Sequence, residues 1–328
     1  MLRLLSLRNA CCRTGTAHSS LTSRQSSSSA RNMSNLLKRR VKLALIQLAS
    51  GPDKTQNLQN AWDKAVQAAK KGANIIVLPE CFNSPYGCDF FPKYAESLPP
   101  LPSDQEDSSP SWRELSALAQ ITCCYIVAGS IPELEVSTQK YYNTSMIISP
   151  SGQLLATHRK VHLFDIDIPG QITFEESNVL SPGNQITIVD LPEYGKIAVA
   201  ICYDIRFPEL AMIAARKGAF CLIYPGAFNT TTGPLHWKLL GQARAMDNQC
   251  FVALCSPARA LEGYPAYGHS LVVDPMAQVI VEAGEGEEII YAVLDGKQID
   301  EARNNIPLNK QRRFDVYPDV SLGLIQGN

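Results

Sequence analysis

One of the ten cysteines, Cys202, lies where an α/β protein presents a nucleophile. It closes the apolar run 196–202, whose β-branched residues are typical of a buried strand. Pro208 and Glu209 follow, and both suit the first turn of a helix. A thiol on such a strand-to-helix turn is expected to have a lowered pKa, which favours the reactive thiolate. The alternative is that Cys202 is a small buried apolar residue, as most free cysteines are.

A carboxylate and an ammonium group occupy comparable positions elsewhere in the chain. Glu80 directly follows the apolar strand 74–79, and ligands of open α/β sheets bind at the carboxyl ends of strands. Lys160 lies in the basic stretch 157–162. Taken singly, Glu80 is a candidate helix cap and Lys160 a candidate surface residue. Together with Cys202, they favour catalysis.

Three motifs of the chain resemble the signatures of the nitrilase superfamily and occur in that family's order. They are LPECF at 78–82, HRKVHLF at 158–164 and ICYDIRFPE at 201–209. Three further segments, 82–87, 162–170 and 228–234, resemble the Nit-type omega-amidases more than aliphatic nitrilases, biotinidase-like amidases or carbamoylases. The resemblance extends from about residue 41 to the C-terminus.

Amide hydrolysis through a thiol requires a nucleophile, a base that takes its proton, an acid for the leaving group, and donors for the oxyanion. We expect Cys202 to be the nucleophile and Glu80 to be both base and acid, for which burial would have to raise its pKa. We expect Lys160 to place a positive charge beside the oxyanion. The backbone N–H of Tyr203 is the predicted second donor.

The resemblance also implies a second glutamate and a set of substrate contacts. We place the glutamate at Glu176, with Glu175 as the alternative register. A 2-oxo acid amide carries a carboxylate remote from the scissile amide, and Arg206 follows the nucleophile by four residues. We expect Tyr86 to donate its hydroxyl proton to that carboxylate. The other contacts that the resemblance implies are Phe228, Thr231 and Thr232.

The function that the resemblance implies is that of an omega-amidase. Such an enzyme hydrolyses the terminal amide of a small 2-oxo dicarboxylic acid monoamide, such as 2-oxoglutaramate or 2-oxosuccinamate, through a cysteine thioester. It releases ammonia and the 2-oxo dicarboxylate and needs no cofactor. One alternative is the related activity on deaminated glutathione, a larger peptide-like substrate. A non-catalytic binding protein of the same fold is a second alternative, and it would have no need of all three charged or nucleophilic residues.

Other chemistries fit the chain less well. His158 and His162 lie four residues apart, but they lack the glutamate and the further ligands of a zinc site. The segment 284–288 lacks the third glycine of a dinucleotide loop. A papain-like Cys–His pair, with His162 or His236 as the base, is the serious mechanistic rival. Ten cysteines with no Cys-x-x-Cys pair indicate reduced thiols in place of a disulfide scaffold.

The N-terminal composition predicts a destination for the protein. Residues 1–52 contain nine basic and no acidic residues, together with a serine-rich stretch, which is typical of a mitochondrial transit peptide. We assign the peptide to residues 1–33, and Met33 is a candidate alternative start that would give a cytoplasmic form. Residues 53–328 then hold 21 of the 30 basic residues against 31 acidic ones. This acidic body predicts neither nucleic-acid binding nor membrane association.

The elements that must position these residues form one domain, 41–328, of the α/β class. Strands alternate with helices and hairpins, which indicates an α/β sandwich. The resemblance implies an α-β-β-α sandwich, and in that family two subunits pack to extend the layers. The predicted strands are 41–49, 73–79, 124–130, 143–149, 196–202, 219–225, 250–256, 269–274 and 288–294. The predicted helices are 56–71, 111–121, 208–217, 235–247 and 297–305. Residues 99–110 are predicted to be an exposed connector, and 310–317 resemble an arm that crosses a partner subunit.

Overall fold

Two β-sheets lie face to face, and helices cover the outer face of each. The computed structural model describes residues 36–99, 109–170, 172–260 and 263–317. The strands are β1 Val41–Gln47, β2 Ile75–Val77, β3 Tyr125–Val127, β4 Ile131–Glu135, β5 Lys140–Ile148, β6 Leu154–Arg159, β7 Asp165–Ile168, β8 Ile172–Glu175, β9 Thr187–Leu191, β10 Gly195–Val199, β11 Ala219–Pro225, β12 Phe251–Cys255, β13 Leu271–Val273, β14 Val279–Glu282 and β15 Glu288–Leu294. The helices are α1 Lys54–Lys70, α2 Phe91–Tyr94, α3 Pro110–Thr122, α4 Pro208–Arg216, α5 Gly233–Asn248, α6 Gly296–Asn305 and α7 Leu308–Gln311.

Each sheet has a parallel centre and antiparallel edges. The first sheet has the strand order β15-β1-β2-β3-β5-β4, with β6 paired to β5, and its strands β1, β2 and β3 are parallel. The second has the order β14-β13-β12-β11-β10-β9, with β10, β11 and β12 parallel. A separate hairpin is formed by β7 and β8. Loops that follow parallel strands gather at one edge of their sheet. The residues after β2 in the first sheet and after β10 and β11 in the second can therefore converge on one site.

The alternation of side chains along the central strands divides the interior into three apolar layers. In β1, Leu43 and Leu45 point into the core between the sheets, while Ala44 and Ile46 pack with α1 and α3. In β10, Ile197 faces the other sheet and the following alanine packs with α4 and α5. Successive side chains of a strand point to opposite faces, so a strand covered on both sides is apolar throughout. The predicted α-β-β-α sandwich is confirmed.

The strands that the sequence did not predict are β4, β6, β7, β8, β9 and β14, which lie at sheet edges or in the separate hairpin. None of them has the continuous apolar run of the central strands: β7 alternates Asp with Ile, and β14 has three apolar residues before Glu282, of which Ile280 is exposed. The strand predicted for 196–202 ends at Val199 instead. The predicted helices all form, with ends that differ by at most two residues.

The structure describes only some of the residues in the predicted terminal segments and the predicted connector. The predicted transit peptide, 1–33, and residues 100–108 of the connector lie outside the described residues. Ser109 is predicted to be exposed, but it is buried. Its hydroxyl accepts a hydrogen bond from the Trp112 N–H and caps α3. In the C-terminal segment, the ring of Phe314 lies under the Arg216 guanidinium, 4.0 Å from ring centre to carbon. Within the described ranges, no helix is long and apolar enough to cross a membrane.

Candidate active site

Cys202 lies on a strained turn between β10 and α4. Its φ is +48°, a left-handed conformation that costs free energy in a residue with a Cβ. A short 3-10 turn from Cys202 to Arg206 follows, and α4 begins only at Pro208. The facing Gly226 allows a close approach, because a Cβ there would lie 3.0 Å from the Cys202 Cα and 3.1 Å from the Trp237 ring. The turn therefore holds the thiol at a fixed position between the two sheets.

The prediction of a lowered thiol pKa is wrong. Burial raises the pKa of Cys202 well above its ordinary value, and the negative charge of Glu80 raises it further, while Lys160 opposes both. The helix begins at Pro208, as predicted, but this is six residues beyond Cys202, so the thiol does not lie in its first turn. The resting nucleophile is therefore a neutral thiol that requires a base.

Glu80 is the group that the structure places in contact with that thiol. It follows β2 and is 1% exposed, and the negative charge of its carboxylate raises the pKa of the Cys202 thiol. Its Oε1 accepts from Asn143 Nδ2 at 2.8 Å and from Lys160 Nζ at 3.3 Å. Its Oε2 accepts from the Ala227 N–H at 2.6 Å. Burial raises the pKa of Glu80, against the lowering effect of the Lys160 charge. The prediction that burial raises the pKa of Glu80 is confirmed. A group that acts as both base and acid near neutral pH requires such a raised pKa.

Lys160 is buried between two carboxylates. Its Nζ lies 2.9 and 2.8 Å from the two oxygens of Glu176, in addition to its contact with Glu80. Burial alone would lower the pKa of Lys160, but the two carboxylates raise it well above the ordinary value. The ammonium therefore keeps its charge inside the protein. Because one cation and two carboxylates share the same buried space with the thiol, their protons titrate as a set.

The structure brings Glu176, and not Glu175, to the ammonium. Glu176 follows β8 in a short 3-10 turn and is 0% exposed. Its Oε1 accepts from the Tyr86 hydroxyl at 2.7 Å, and its Oε2 accepts from the Phe164 N–H at 2.8 Å. Glu175 is exposed, and its carboxylate accepts from Asn178.

A buried carboxylate that sequence reasoning missed, Asp204, ties the lysine segment to the cysteine turn. Its oxygens accept from the Ile201 N–H at 3.0 Å, from His158 Nε2 at 3.1 Å, and from both the backbone N–H and Nδ1 of His162 at 2.8 Å. Burial would raise the pKa of Asp204, but the hydrogen bonds from the two histidines hold it well below its usual range. An acid two residues after the nucleophile is the signal that could have found it. Asp204 thus fixes the thiol and the ammonium relative to each other.

Two further polar residues support the site without a clear sequence signal. Asn143 lies on β5; its side chain donates to Glu80, and its carbonyl accepts from the Lys160 N–H at 2.8 Å. Tyr264 donates its hydroxyl proton to the Ala227 carbonyl at 2.8 Å, and its ring lies 4.5 Å from that of Tyr86. An asparagine within an apolar strand is the only hint of the first.

The predicted substrate residues lie on the side of Cys202 that faces α5. The guanidinium of Arg206 lies over the rings of Tyr203 and Phe228, at 5.3 and 5.0 Å. Thr231 and Thr232 donate their backbone N–H groups to Asn229 Oδ1, at 3.0 and 2.8 Å. The hydroxyl of Thr232 also donates to Asn229 Oδ1, at 3.2 Å. The lone pairs of the Thr232 hydroxyl oxygen are therefore left for a ligand.

The comparisons with known proteins agree with this geometry. The family model described as "Carbon-nitrogen hydrolase" matches residues 42–304. The chain belongs to the carbon–nitrogen hydrolase family. It is 55% identical to the omega-amidase NIT3 of Saccharomyces cerevisiae, over 88% of this chain and 98% of that protein. It is 51% identical to the omega-amidase NIT2 of Mus musculus, over 84% and 96% of the two chains. The crystal structure of Saccharomyces cerevisiae Nit3, a member of the nitrilase superfamily, superposes with a TM-score of 0.79 and 52% identity, over 86% of this chain and 100% of that chain.

In this carbon–nitrogen hydrolase, both histidines of the rival Cys–His mechanism have other partners. His162 donates from Nδ1 to Asp204 and stacks on Phe207, with ring centres 3.6 Å apart. His236 lies 3.1 Å from an Arg206 nitrogen. Among charged groups, Glu80 has the largest effect on the pKa of the thiol. The geometry therefore favours Glu80 as the base. Among the described residues, no cluster of three or more potential ligands could hold a metal ion.

The expectation that Tyr86 donates to a substrate carboxylate needs correction, because its hydroxyl proton goes to Glu176. Tyr86→Phe should therefore weaken the support of Lys160 and lower kcat/KM alike for substrates with and without a distal carboxylate. The loss of one hydrogen bond to a buried charge corresponds to about 1.5–3 kcal/mol. Steady-state ammonia release from an anionic and a neutral amide measures this. A penalty confined to the anionic amide would restore the original assignment.

Proposed function

We propose that this carbon–nitrogen hydrolase is an omega-amidase acting on small 2-oxo dicarboxylic acid monoamides such as 2-oxoglutaramate and 2-oxosuccinamate. The observation that carries the proposal is the buried contact of the Cys202 thiol with Glu80, beside the Lys160 ammonium. The named omega-amidases that the chain matches along most of its length support the same reaction.

The first half of the reaction forms a thioester. Glu80 accepts the thiol proton, and the sulfur of Cys202 attacks the amide carbon. The oxyanion of the tetrahedral intermediate lies beside Lys160, and the Tyr203 N–H is the second donor. Glu80 then returns its proton to the amide nitrogen, the carbon–nitrogen bond breaks, and ammonia leaves.

The second half hydrolyses the thioester. Glu80 takes a proton from water, the resulting hydroxide adds to the thioester carbon, and the carbon–sulfur bond breaks. The thiolate is reprotonated by Glu80, and the new carboxylic acid loses its proton to solvent as the 2-oxo dicarboxylate is released. Four hydrogen bonds, from Lys160, Tyr86 and the Phe164 N–H, satisfy the oxygens of Glu176. Its role is to hold the ammonium in place while Glu80 exchanges protons.

The substrate class follows from the charge of Arg206. This half-buried cation lies next to the nucleophile turn, and within the described residues it has no carboxylate within ion-pair distance. A half-buried charge without a partner is costly, so a substrate carboxylate is its natural counter-ion. Phe228, Thr231 and Thr232 line the same side and complete the proposed acyl pocket.

The decisive experiment compares two amides with the same acyl group but different leaving groups. Ammonia release from 2-oxoglutaramate and amine release from deaminated glutathione are measured at matched concentrations. We expect 2-oxoglutaramate to have the higher kcat/KM, because the rings of Tyr86 and Tyr264 pack 4.5 Å apart beside Glu80 and favour a small leaving group. A higher kcat/KM for deaminated glutathione would assign the chain to that sister activity. Hydrolysis of neither would favour the binding-protein alternative.

Assembly and destination extend the proposal. A homodimer or larger homo-oligomer is supported by apolar side chains exposed on α4 and α5, namely Ile213, Leu235, Leu239 and Met246. The half-exposed Phe314 and Tyr317 support the same role for the segment 310–317. Light scattering on the purified protein measures the mass. Mitochondrial delivery is supported by the basic, serine-rich and acid-free composition of residues 1–33, and Met33 is a candidate start for a cytoplasmic form.

A further inference from the structure

The partner of Arg206 is a histidine, which is an unusual choice for a half-buried arginine. One terminal nitrogen of its guanidinium lies 3.1 Å from His236 Nδ1, while its Nε is buried without a hydrogen-bond partner among the described groups. Buried or half-buried guanidinium groups are ordinarily paired with carboxylates. The proposed acyl pocket instead contains a cation that is oriented but not neutralised.

The geometry also determines the state of His236. A guanidinium only donates hydrogen bonds, so Nδ1 must present a lone pair, and the ring proton is on Nε2. Burial and the adjacent Arg206 charge lower the pKa of His236, which keeps the imidazole neutral. The residue lies in the first turn of α5, where its backbone N–H donates to the Thr232 carbonyl at 3.0 Å. The helix therefore fixes the acceptor in place.

We propose that His236 is a positioning residue for substrate specificity: it orients Arg206 through a neutral acceptor and so keeps the guanidinium charge available for the carboxylate of an anionic acyl group. This inference rests on the proposed function, in which Arg206 binds that carboxylate. A carboxylate at position 236 would orient Arg206 equally well but would compete with the substrate for its charge. Selection for anionic substrates would then be lost, although the catalytic groups around Cys202 would be intact.

The test exchanges the neutral acceptor for a charged one. His236→Glu and His236→Gln are compared on 2-oxoglutaramate and on 4-oxopentanamide, in which a methyl group replaces the carboxylate. The readout is the ratio of the two kcat/KM values, with KM and kcat resolved for each. We expect His236→Glu to lower this ratio at least ~10-fold, mainly through KM for the anionic amide, because one hydrogen bond to a charged group is lost. We expect His236→Gln to stay within about threefold of wild type because it keeps a neutral acceptor.

Two controls separate this inference from its premise. Lys238→Gln changes the net charge by the same amount on the same helix, but its ammonium pairs with Glu282, so the ratio should not change. Arg206→Gln tests the premise and should lower the ratio. If Arg206→Gln leaves the ratio unchanged, the assigned carboxylate contact fails and the inference falls with it. If Arg206→Gln lowers the ratio but His236→Glu leaves it within about twofold of wild type, only the role of His236 is overturned. A new acidic residue in the first turn of α5 favours the helix, so the variant should fold.

Discussion

Replacing Cys202 by alanine is expected to abolish amide hydrolysis while the protein stays folded. Loss of the nucleophile in a hydrolase lowers kcat by on the order of 10⁶, because the remaining groups can neither form nor release the covalent intermediate. The free energy of unfolding should change by only ~1 kcal/mol, because alanine is slightly smaller and equally apolar. Ammonia release and thermal unfolding of the purified variant measure both effects.

The matched control is Cys250→Ala, which removes another fully buried thiol and should retain activity. A general alkylating agent is a poor alternative test. Cys202 is 3% exposed and has a raised pKa, whereas Cys123 is exposed and Cys88 half-exposed, so such an agent should modify those two thiols first. A small amide electrophile, 2-chloroacetamide, applied to a Cys88→Ser, Cys123→Ser background, is the better probe. Measurable turnover by the alanine variant would refute the thiol mechanism.

Glu80→Gln should lower kcat by about 10²–10⁴-fold, the usual effect of losing a general base. Glutamine has the same shape but cannot accept the thiol proton. The pH dependence of kcat/KM gives an independent test of this role. Since burial raises the pKa of Glu80, the active carboxylate is lost as pH falls through a value above the ordinary ~4.3. We therefore expect an acid limb of kcat/KM above that value in the wild type and its disappearance in the variant.

The controls for Glu80 come from the neighbouring acid and the rival bases. Glu175→Gln, an exposed carboxylate beside the site, should be close to wild type. His162→Asn and His236→Asn should each cost far less than Glu80→Gln on a neutral amide, because their side chains contact Asp204 and Arg206. The reverse ranking would indicate a Cys–His mechanism.

The central strands and the residues that end them could be predicted from sequence, because a strand covered on both faces leaves a continuous apolar run. Glu80, Lys160 and Cys202 each follow such a run or its hairpin and meet as expected. The thiol pKa could not be predicted, because it depends first on burial in the folded protein and then on the charge of Glu80, which is 122 residues away in sequence. The role of Asp204 depends in the same way on partners 42 and 46 residues away. The strands at the sheet edges and in the separate hairpin are short and have no continuous apolar run as long as those of the central strands.

The catalytic groups come from both sheets of the sandwich. Glu80 and Lys160 follow strands of the first sheet, whereas Cys202 and the Ala227 N–H follow strands of the second. Catalysis therefore requires that the two sheets have docked in register, not merely that each has formed. During refolding, hydrolytic activity should return later than the far-ultraviolet circular dichroism of the separate sheets. Hydrolytic activity is therefore a measure of correct tertiary packing. A collapsed intermediate with native secondary structure would have no activity.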